Sequence, residues 1–209
     1  MANLFLPDSW AYALAHVVAA NDPLPPGNNK KTLIVPVAHG TTKNRLTCGS
    51  FNVCSRVKEL LVRFPNSTVV FGSFAGSNIE LERKLKLEML ASTNVHHYGS
   101  AMSTIDEPVG VLRLIGDADF EQVIFVTDEA HSYRGGRIIF TTFFPHMSVY
   151  VVAIPLILAV DPGSLMENYW NPWKALVYQV LPTPLYCWWA RKGPLHLMTK
   201  ASFHQPVTK

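Results

Sequence analysis

The chain has 209 residues, of which 48% are hydrophobic and only 16% are charged, and its net charge is +3. This length predicts one domain with one good-sized core, and the low charged fraction is typical of strands buried on both faces. The positive charge is weak and scattered and does not indicate a nucleic-acid-binding surface, so we expect no nucleic-acid partner. No apolar run reaches the roughly 18 residues of a membrane-spanning helix.

Strand and helix patterns follow one another along the chain. Strands are predicted at 32–38, 67–73, 95–100 (short, running into a loop), 121–127 and 148–155. Helices are predicted at 9–22, 52–64, 79–92, 104–117 and 132–144, with two more expected in the aromatic-rich segment 166–193. Alternation of this kind predicts a doubly wound, mainly parallel α/β sheet with helices on both faces, a Rossmann-like three-layer sandwich. We expect a single domain over 1–209, with an N-terminal helix and an aromatic-rich extension at about 160–209.

In such a sheet ligands bind in the crevice beyond the carboxyl ends of the strands. Polar residues follow the predicted strands and open the predicted helices. The candidates for catalysis are His39, His131 and Asp128. The candidates for substrate binding are Gly40, Thr41, Ser73, Thr104, Asp106, Glu107, Thr127 and Arg134.

The chemistry of these residues favours an anionic ligand. Helix N-termini offer unsatisfied N–H groups, and Arg134 can add a bidentate fork to a phosphate or carboxylate. Imidazole exchanges protons near neutral pH, which suits His39 and His131 to acid–base work, and Asp128 or Asp106 can orient a ring.

Structural readings of the same residues stay open. Thr127 or Asp128 can be a helix cap, and His39 can be a hydrogen-bonded structural histidine. His96 and His97 are adjacent on a strand and point to opposite faces, so no metal site is expected there. The standard phosphate-loop, dinucleotide-binding, serine-hydrolase and zinc-protease motifs are not found in the sequence.

The segment VIFVTDEAHSYRGGRIIF resembles the most recognisable block of the SanA/YdcF/ElyC-like family of bacterial α/β domains. In that family an apolar strand runs into Val-Thr-Ser. A His follows, and an Arg comes three residues after the His, at the start of a helix. Val126, Thr127, His131 and Arg134 match this pattern, and Asp128 stands in place of the serine.

Weaker similarity extends the resemblance over roughly residues 32–155. Ser55-Arg56 corresponds to a Ser/Arg pair, VVFGSFAG to a second strand with its loop, and Glu80 or Glu82 to the acid of a Ser-Glu-Ala helix. In SAMSTIDEP, Thr104 matches the family's Ser-x-x-Thr-x-Glu-Asn block, where Asp106 stands for Glu and Glu107 for Asn. The resemblance implies a polar pocket at the strand ends and makes S-adenosylmethionine a candidate ligand, although the sequence itself requires no cofactor.

Three functions follow as hypotheses. The first is a small-molecule enzyme of tailoring or metabolic type, and the second is a non-catalytic module that binds a nucleotide-like ligand. The third is a metal-handling enzyme, because VAHGTT resembles the first strand of class II chelatases. We expect a cytoplasmic protein, because the three cysteines form no C-x-x-C pair and the N-terminus shows no signal-peptide pattern. The C-terminal aromatic residues predict either a lid over the pocket or a homodimer surface.

Overall fold

The structure, a computed structural model, describes residues 7–25, 30–91 and 94–196. Within them one sheet is formed by β1 (Thr32–Pro36), β2 (Thr68–Phe74), β3 (Val95–Ala101), β4 (Gln122–Asp128) and β5 (Ser148–Ile154). All neighbouring strands are parallel, in the order β3-β2-β1-β4-β5. The predicted α/β, Rossmann-like fold is therefore confirmed.

Helices connect the strands and continue after the last one. They are α1 (Asp8–Val18), α2 (Cys48–Arg63), α3 (Ile79–Leu90), α4 (Asp106–Ile115), α5 (129–143), α6 (Pro172–Val180) and α7 (Thr183–Ala190). The chain crosses from β1 towards β3 through α2 and α3, which pack together, and returns to β4 and β5 through α4 and α5. Right-handed crossovers in opposite directions put these two pairs of helices on opposite faces of the sheet.

The two central strands, β1 and β4, are mostly apolar because both of their faces are covered. Every residue of β1 and of β4 is buried, and Leu33, Ile34, Ile124 and Phe125 lie at the centre of the core. Since β1 and β4 are neighbours whose following crossovers run in opposite directions, a crevice opens beyond their carboxyl ends.

Two helices begin earlier than the sequence predicts because a side chain caps each of them. The Thr47 hydroxyl accepts a hydrogen bond from the Ser50 N–H, so α2 starts at Cys48 instead of residue 52. Asp128 accepts from the His131 N–H, so α5 starts at residue 129 instead of 132.

Most of α5 is not an ordinary α-helix. It comprises α-helical Glu129–His131, π-helical Ser132–Phe140 and α-helical Thr141–Phe143. A Cβ atom at Gly136 would lie 2.5 Å from a methyl group of Val151 on β5, so this glycine lets the helix approach the sheet closely.

The segment after β5 covers the carboxyl edge of the sheet. Residues Glu167–Tyr169 form a short 3-10 turn, and α6 packs on α1 and on the first turn of α5. The two predicted helices are thus present as α6 and α7, while the part of the predicted extension beyond residue 196 lies outside the described residues. Across the described ranges, the helices are all too short or too polar to cross a membrane.

Candidate functional site

A cavity of about 370 Å³ lies at the carboxyl ends of β1 and β4. Its walls come from the loops that follow β1 and β3, from α4 and α5, and from the segment that includes the 3-10 turn and α6. The volume falls in the range of small-molecule sites, roughly 300–1,000 Å³. The topology therefore brings distant parts of the chain together around one hollow.

Asp128 is fully buried beneath this cavity and is the hub of its polar network. One carboxylate oxygen accepts the His131 N–H at 3.1 Å, and the other accepts the Tyr169 hydroxyl at 2.7 Å. Burial alone would raise the pKa of Asp128, but the adjacent His39 ring, together with smaller effects of His131 and Tyr169, lowers it to about 2. Asp128 is thus a carboxylate at neutral pH, and its capping role is combined with a role in the site.

His39 lies on the loop after β1, where its ring reaches Asp128. Nε2 of His39 is 3.2 Å from the carboxylate, a contact that is an ion pair only when the ring is protonated and that does not meet hydrogen-bond geometry. The ring also packs edge-on against Tyr169, with centroids 4.8 Å apart. A Cβ at Gly49 would lie 2.9 Å from this ring, so that glycine makes room for it.

His131 lies in the first turn of α5 and contacts α6. Its Nδ1 is 3.0 Å from Oε1 of Gln179, while its Nε2 has no hydrogen-bond partner among the described residues. Burial, and then the nearby charge of Arg134, lower the pKa of His131 to about 3. The ring is therefore neutral at physiological pH.

Arg134 is a buried cation without a carboxylate partner in the described part of the chain. Only 4% of the residue is exposed, and none of the described ion pairs includes it. Its guanidinium donates to the Tyr178 carbonyl at 3.1 Å and to the Thr104 hydroxyl at 3.3 Å, and it packs over the rings of Tyr178 and Tyr186. Buried charges are normally paired, so this arrangement is suited to a ligand that brings the negative charge.

Glu107, in the first turn of α4, is a buried acid on the same cavity. One of its oxygens accepts the Ala38 N–H at 2.8 Å, and the other has no partner among the described residues. Burial raises the pKa of Glu107 to about 8 in spite of that hydrogen bond. The carboxyl is therefore mostly protonated at neutral pH, and it can donate a hydrogen bond.

The unsatisfied polar atoms of the described chain are concentrated at this place. Several buried side-chain nitrogen or oxygen atoms of the described residues lack a hydrogen-bond partner, and six of these atoms belong to residues that line the cavity. The six residues are His39, Ser103, Glu107, His131, Arg134 and Asn168. An unmade buried hydrogen bond costs roughly 1–3 kcal/mol, so their convergence indicates a site that a polar ligand or water fills.

The residues predicted from the sequence divide into three groups. Those that line the cavity are His39, Thr104, Glu107, His131 and Arg134. Asp128 lies directly behind the lining and contacts the ring of His39, the backbone N–H of His131 and the hydroxyl of Tyr169. Gly40, Thr41, Ser73, Asp106 and Thr127 lie near the same edge of the sheet but not in the lining.

The members of the third group have contacts of their own. The Gly40 carbonyl accepts the Ser50 hydroxyl at 2.8 Å, and the Ser73 hydroxyl is 3.0 Å from Nε2 of His97. Asp106 accepts the N–H groups of two loop residues, Met102 and Ser103. The hydroxyls of Thr41 and Thr127 are buried without a hydrogen-bond partner among the described residues.

Glu82, on α3, supports the floor of the crevice. Its carboxylate accepts the N–H groups of Gly40 and Phe74 and the Ser77 hydroxyl, and it pairs with Lys86 at 2.7 Å in a fully buried position. This residue therefore ties together the loops that follow β1 and β2.

Sequence reasoning did not identify the residues that the C-terminal segment contributes. Tyr169 and Gln179 complete the polar network, and Asn168 and Tyr178 add to the lining. The only signal in the sequence was the density of aromatic residues, which suggested a lid without indicating which polar groups it carries.

Comparison of the chain with protein-family models, with curated proteins and with solved structures finds no match. Within the described residues, no group of three or more His, Cys, Asp or Glu side chains is placed to hold a metal ion. The three cysteines are free thiols.

Proposed function

We propose that the protein is an enzyme that acts on a small anionic molecule bound at the carboxyl ends of β1 and β4. The observation that carries this proposal is the buried Arg134 guanidinium, which faces a cavity rich in unsatisfied polar atoms and has no carboxylate partner among the described residues. A phosphate or carboxylate is the natural complement of such a guanidinium.

The remaining lining residues have roles that fit this chemistry. Thr104 and the Tyr178 carbonyl hold the guanidinium in place, and protonated Glu107 can donate to an oxygen of the substrate. His39 is the candidate for proton transfer, because the Asp128 carboxylate beside it stabilises the imidazolium that forms when the ring takes up a proton. We place this enzyme in the cytoplasm, and we propose the exposed C-terminal aromatics such as Trp188 as a dimer surface.

A non-catalytic binding module is the second candidate. It is favoured by the low pKa of His131, which makes this ring a poor proton carrier at neutral pH, and by the aromatic rings around Arg134. A nucleotide-like ligand such as S-adenosylmethionine would then bind through its carboxylate at Arg134.

The first experiment is a thermal-shift screen of carboxylates, phosphate esters and nucleotides against three proteins: wild type, Arg134→Gln and the control Arg113→Gln. Arg113 is an exposed arginine of α4, so its loss should leave binding intact. A ligand at a concentration of 100 times its Kd stabilises the folded protein by about 2.7 kcal/mol. Loss of a charge-assisted hydrogen bond in Arg134→Gln should weaken binding roughly 10- to 100-fold.

Each hit is then tested for turnover with wild type and His39→Asn. Turnover that disappears in His39→Asn while binding persists supports the enzyme. Binding without turnover of any hit supports the binding module instead. If anions stabilise Arg134→Gln as strongly as wild type, the assignment of the site is wrong.

A further inference from the structure

A chain of hydrogen bonds behind the cavity fixes which nitrogen of His131 carries a proton. It starts at Asp128, which accepts the His131 N–H with one oxygen and faces the Tyr169 hydroxyl with the other, 2.7 Å away. An ionised carboxylate can only accept hydrogen bonds, so the Tyr169 hydroxyl must donate its single proton to Asp128.

The direction of the next bond follows from the first. The Tyr169 oxygen, having given its proton away, accepts a hydrogen bond from the amide nitrogen of Gln179 at 3.2 Å. The amide is thereby oriented with its oxygen towards His131, where Oε1 lies 3.0 Å from Nδ1. A carbonyl oxygen accepts only, so Nδ1 of His131 must be the protonated nitrogen.

The opposite orientation of Gln179 conflicts with the same contacts. If the amide nitrogen faced His131, the amide oxygen would face Tyr169 and compete with Asp128 for one phenolic proton. Either the Asp128 carboxylate or the Gln179 amide oxygen would then lack a donor and face a lone pair of the Tyr169 oxygen. This arrangement is less stable than the one in which every buried group is hydrogen-bonded. The chain of donors therefore has one favourable direction.

The consequence is a bare lone pair on Nε2 of His131. This atom is buried and has no partner among the described residues, and its residue lines the cavity. A Cβ at position 135 would lie 2.4 Å from Nε2, so the absence of a side chain at Gly135 makes room for the ring on that side. His131 and Arg134 are three residues apart at the start of α5 and line the same cavity, so an acceptor and a cation adjoin each other there.

We propose that this cavity selects an oxyanion that carries a hydrogen-bond donor beside its negative charge, with Arg134 binding the charge and Nε2 of His131 accepting from the donor. The proposal rests on the proposed function and deepens it by naming the substrate class. A carboxylate with a neighbouring hydroxyl and a phosphate ester with a neighbouring hydroxyl share this chemistry.

The protonated nitrogen can be measured directly, without any ligand. Nitrogen-15 NMR of the imidazole rings in the whole protein at pH 7, with His131 assigned by its loss in His131→Gln, should give a protonated Nδ1 and an unprotonated Nε2. The Tyr169→Phe variant removes the donor to Asp128, so the ring should then populate both tautomers. Tyr133→Phe, on the exposed side of the same helix, should leave the spectrum unchanged.

The wild-type spectrum is decisive even if Tyr169→Phe does not fold. A ring with Nε2 protonated, or a doubly protonated ring, overturns the inference.

The substrate class is tested with two matched pairs: lactate against propionate, and glycerol 3-phosphate against propyl phosphate. The member with the hydroxyl should bind about fivefold more tightly, since one hydrogen bond contributes roughly 1 kcal/mol and a tenfold change requires about 1.4 kcal/mol. This preference should shrink in Gln179→Met, which no longer fixes the tautomer. The pair in which wild type prefers the member with the hydroxyl also tells whether the anion is a carboxylate or a phosphate.

The possible failures are distinguishable. Equal binding of both members of each pair, lost in Arg134→Gln, overturns this inference but leaves the proposed anion site standing. If no carboxylate or phosphate binds at all, the proposed function itself fails and the inference fails with it.

Discussion

Replacing Glu107 by Gln should make the protein more stable at alkaline pH, because the buried carboxyl resists ionisation. Below pH 4.5 the group is protonated in the folded and the unfolded chain, so it has no effect on the pH dependence. Between pH 4.5 and about 8 only the unfolded chain ionises, which favours unfolding increasingly as the pH rises. The penalty is complete above pH 8.

The size of the effect follows from the pKa. Raising it from 4.5 to about 8 corresponds to about 5 kcal/mol, since each pKa unit is worth about 1.4 kcal/mol. A glutamine at this position keeps an oxygen that can accept the Ala38 N–H but cannot ionise. The gain in stability of Glu107→Gln over wild type should therefore grow by several kcal/mol between pH 5 and pH 8.

Urea unfolding followed by tryptophan fluorescence measures this gain at each pH. Glu88→Gln is the matched control, because Glu88 is an exposed residue of α3, 59% exposed, and should show no such trend. A difference between Glu107→Gln and wild type that is the same at pH 5 and pH 8 would refute the reasoning, since the carboxyl would then ionise normally in the fold.

Three further predictions concern the same region. The folded pKa of His131 is lowered to about 3, so the free energy of unfolding of wild type, relative to His131→Gln, should fall by about 1.4 kcal/mol per pH unit between pH 6.5 and pH 3. A difference between the two proteins in urea unfolding that does not change with pH would contradict this. Gly135→Ala should destabilise the fold by about 1–3 kcal/mol and abolish ligand binding, because the added Cβ would meet the His131 ring. Calorimetry measures both effects, and unaltered binding would argue against the placement of His131 in the site. Lys86→Met should lower the free energy of unfolding by about 3–5 kcal/mol, because buried Glu82 would lose its partner. The control is Lys84→Met: the Lys84 side chain is 69% exposed, so the loss should be less than about 1 kcal/mol. Similar losses for both variants would contradict the buried pair.

Periodicity was sufficient for the sheet because its central strands are buried on both faces. The runs at 32–38 and 121–127 have few polar residues, and they became the adjacent strands β1 and β4. Helix starts were less predictable. Asp128, one of the two cap candidates in the sequence, does cap α5, but the glycines of this helix obscure the helical pattern, so its start was predicted at residue 132. Thr47 caps α2 and was not predicted as a cap.

The site was predictable where its residues directly follow strands and not where tertiary contacts supply them. His39 follows β1, and His131 and Arg134 lie at the start of the helix that follows β4, so topology alone brought them to one edge. Tyr169 and Gln179 come from a segment with no strand pattern, and only the packing of α6 onto α5 brings them to Asp128 and His131. The order of the strands likewise depends on packing that no local pattern encodes.

The π-helical stretch Ser132–Phe140 makes the length of α5 a functional property. It directly follows His131 and includes Arg134, which both line the cavity, and it ends at Ile139 and Phe140, which belong to the core. A shift of one residue turns an α-helix by about 100°, so deleting a single residue here would restore ordinary helical spacing at the expense of one of the two faces. Either Arg134 would leave the cavity or the two apolar side chains would leave the core, and relatives that share the site should therefore keep the same number of residues in this stretch.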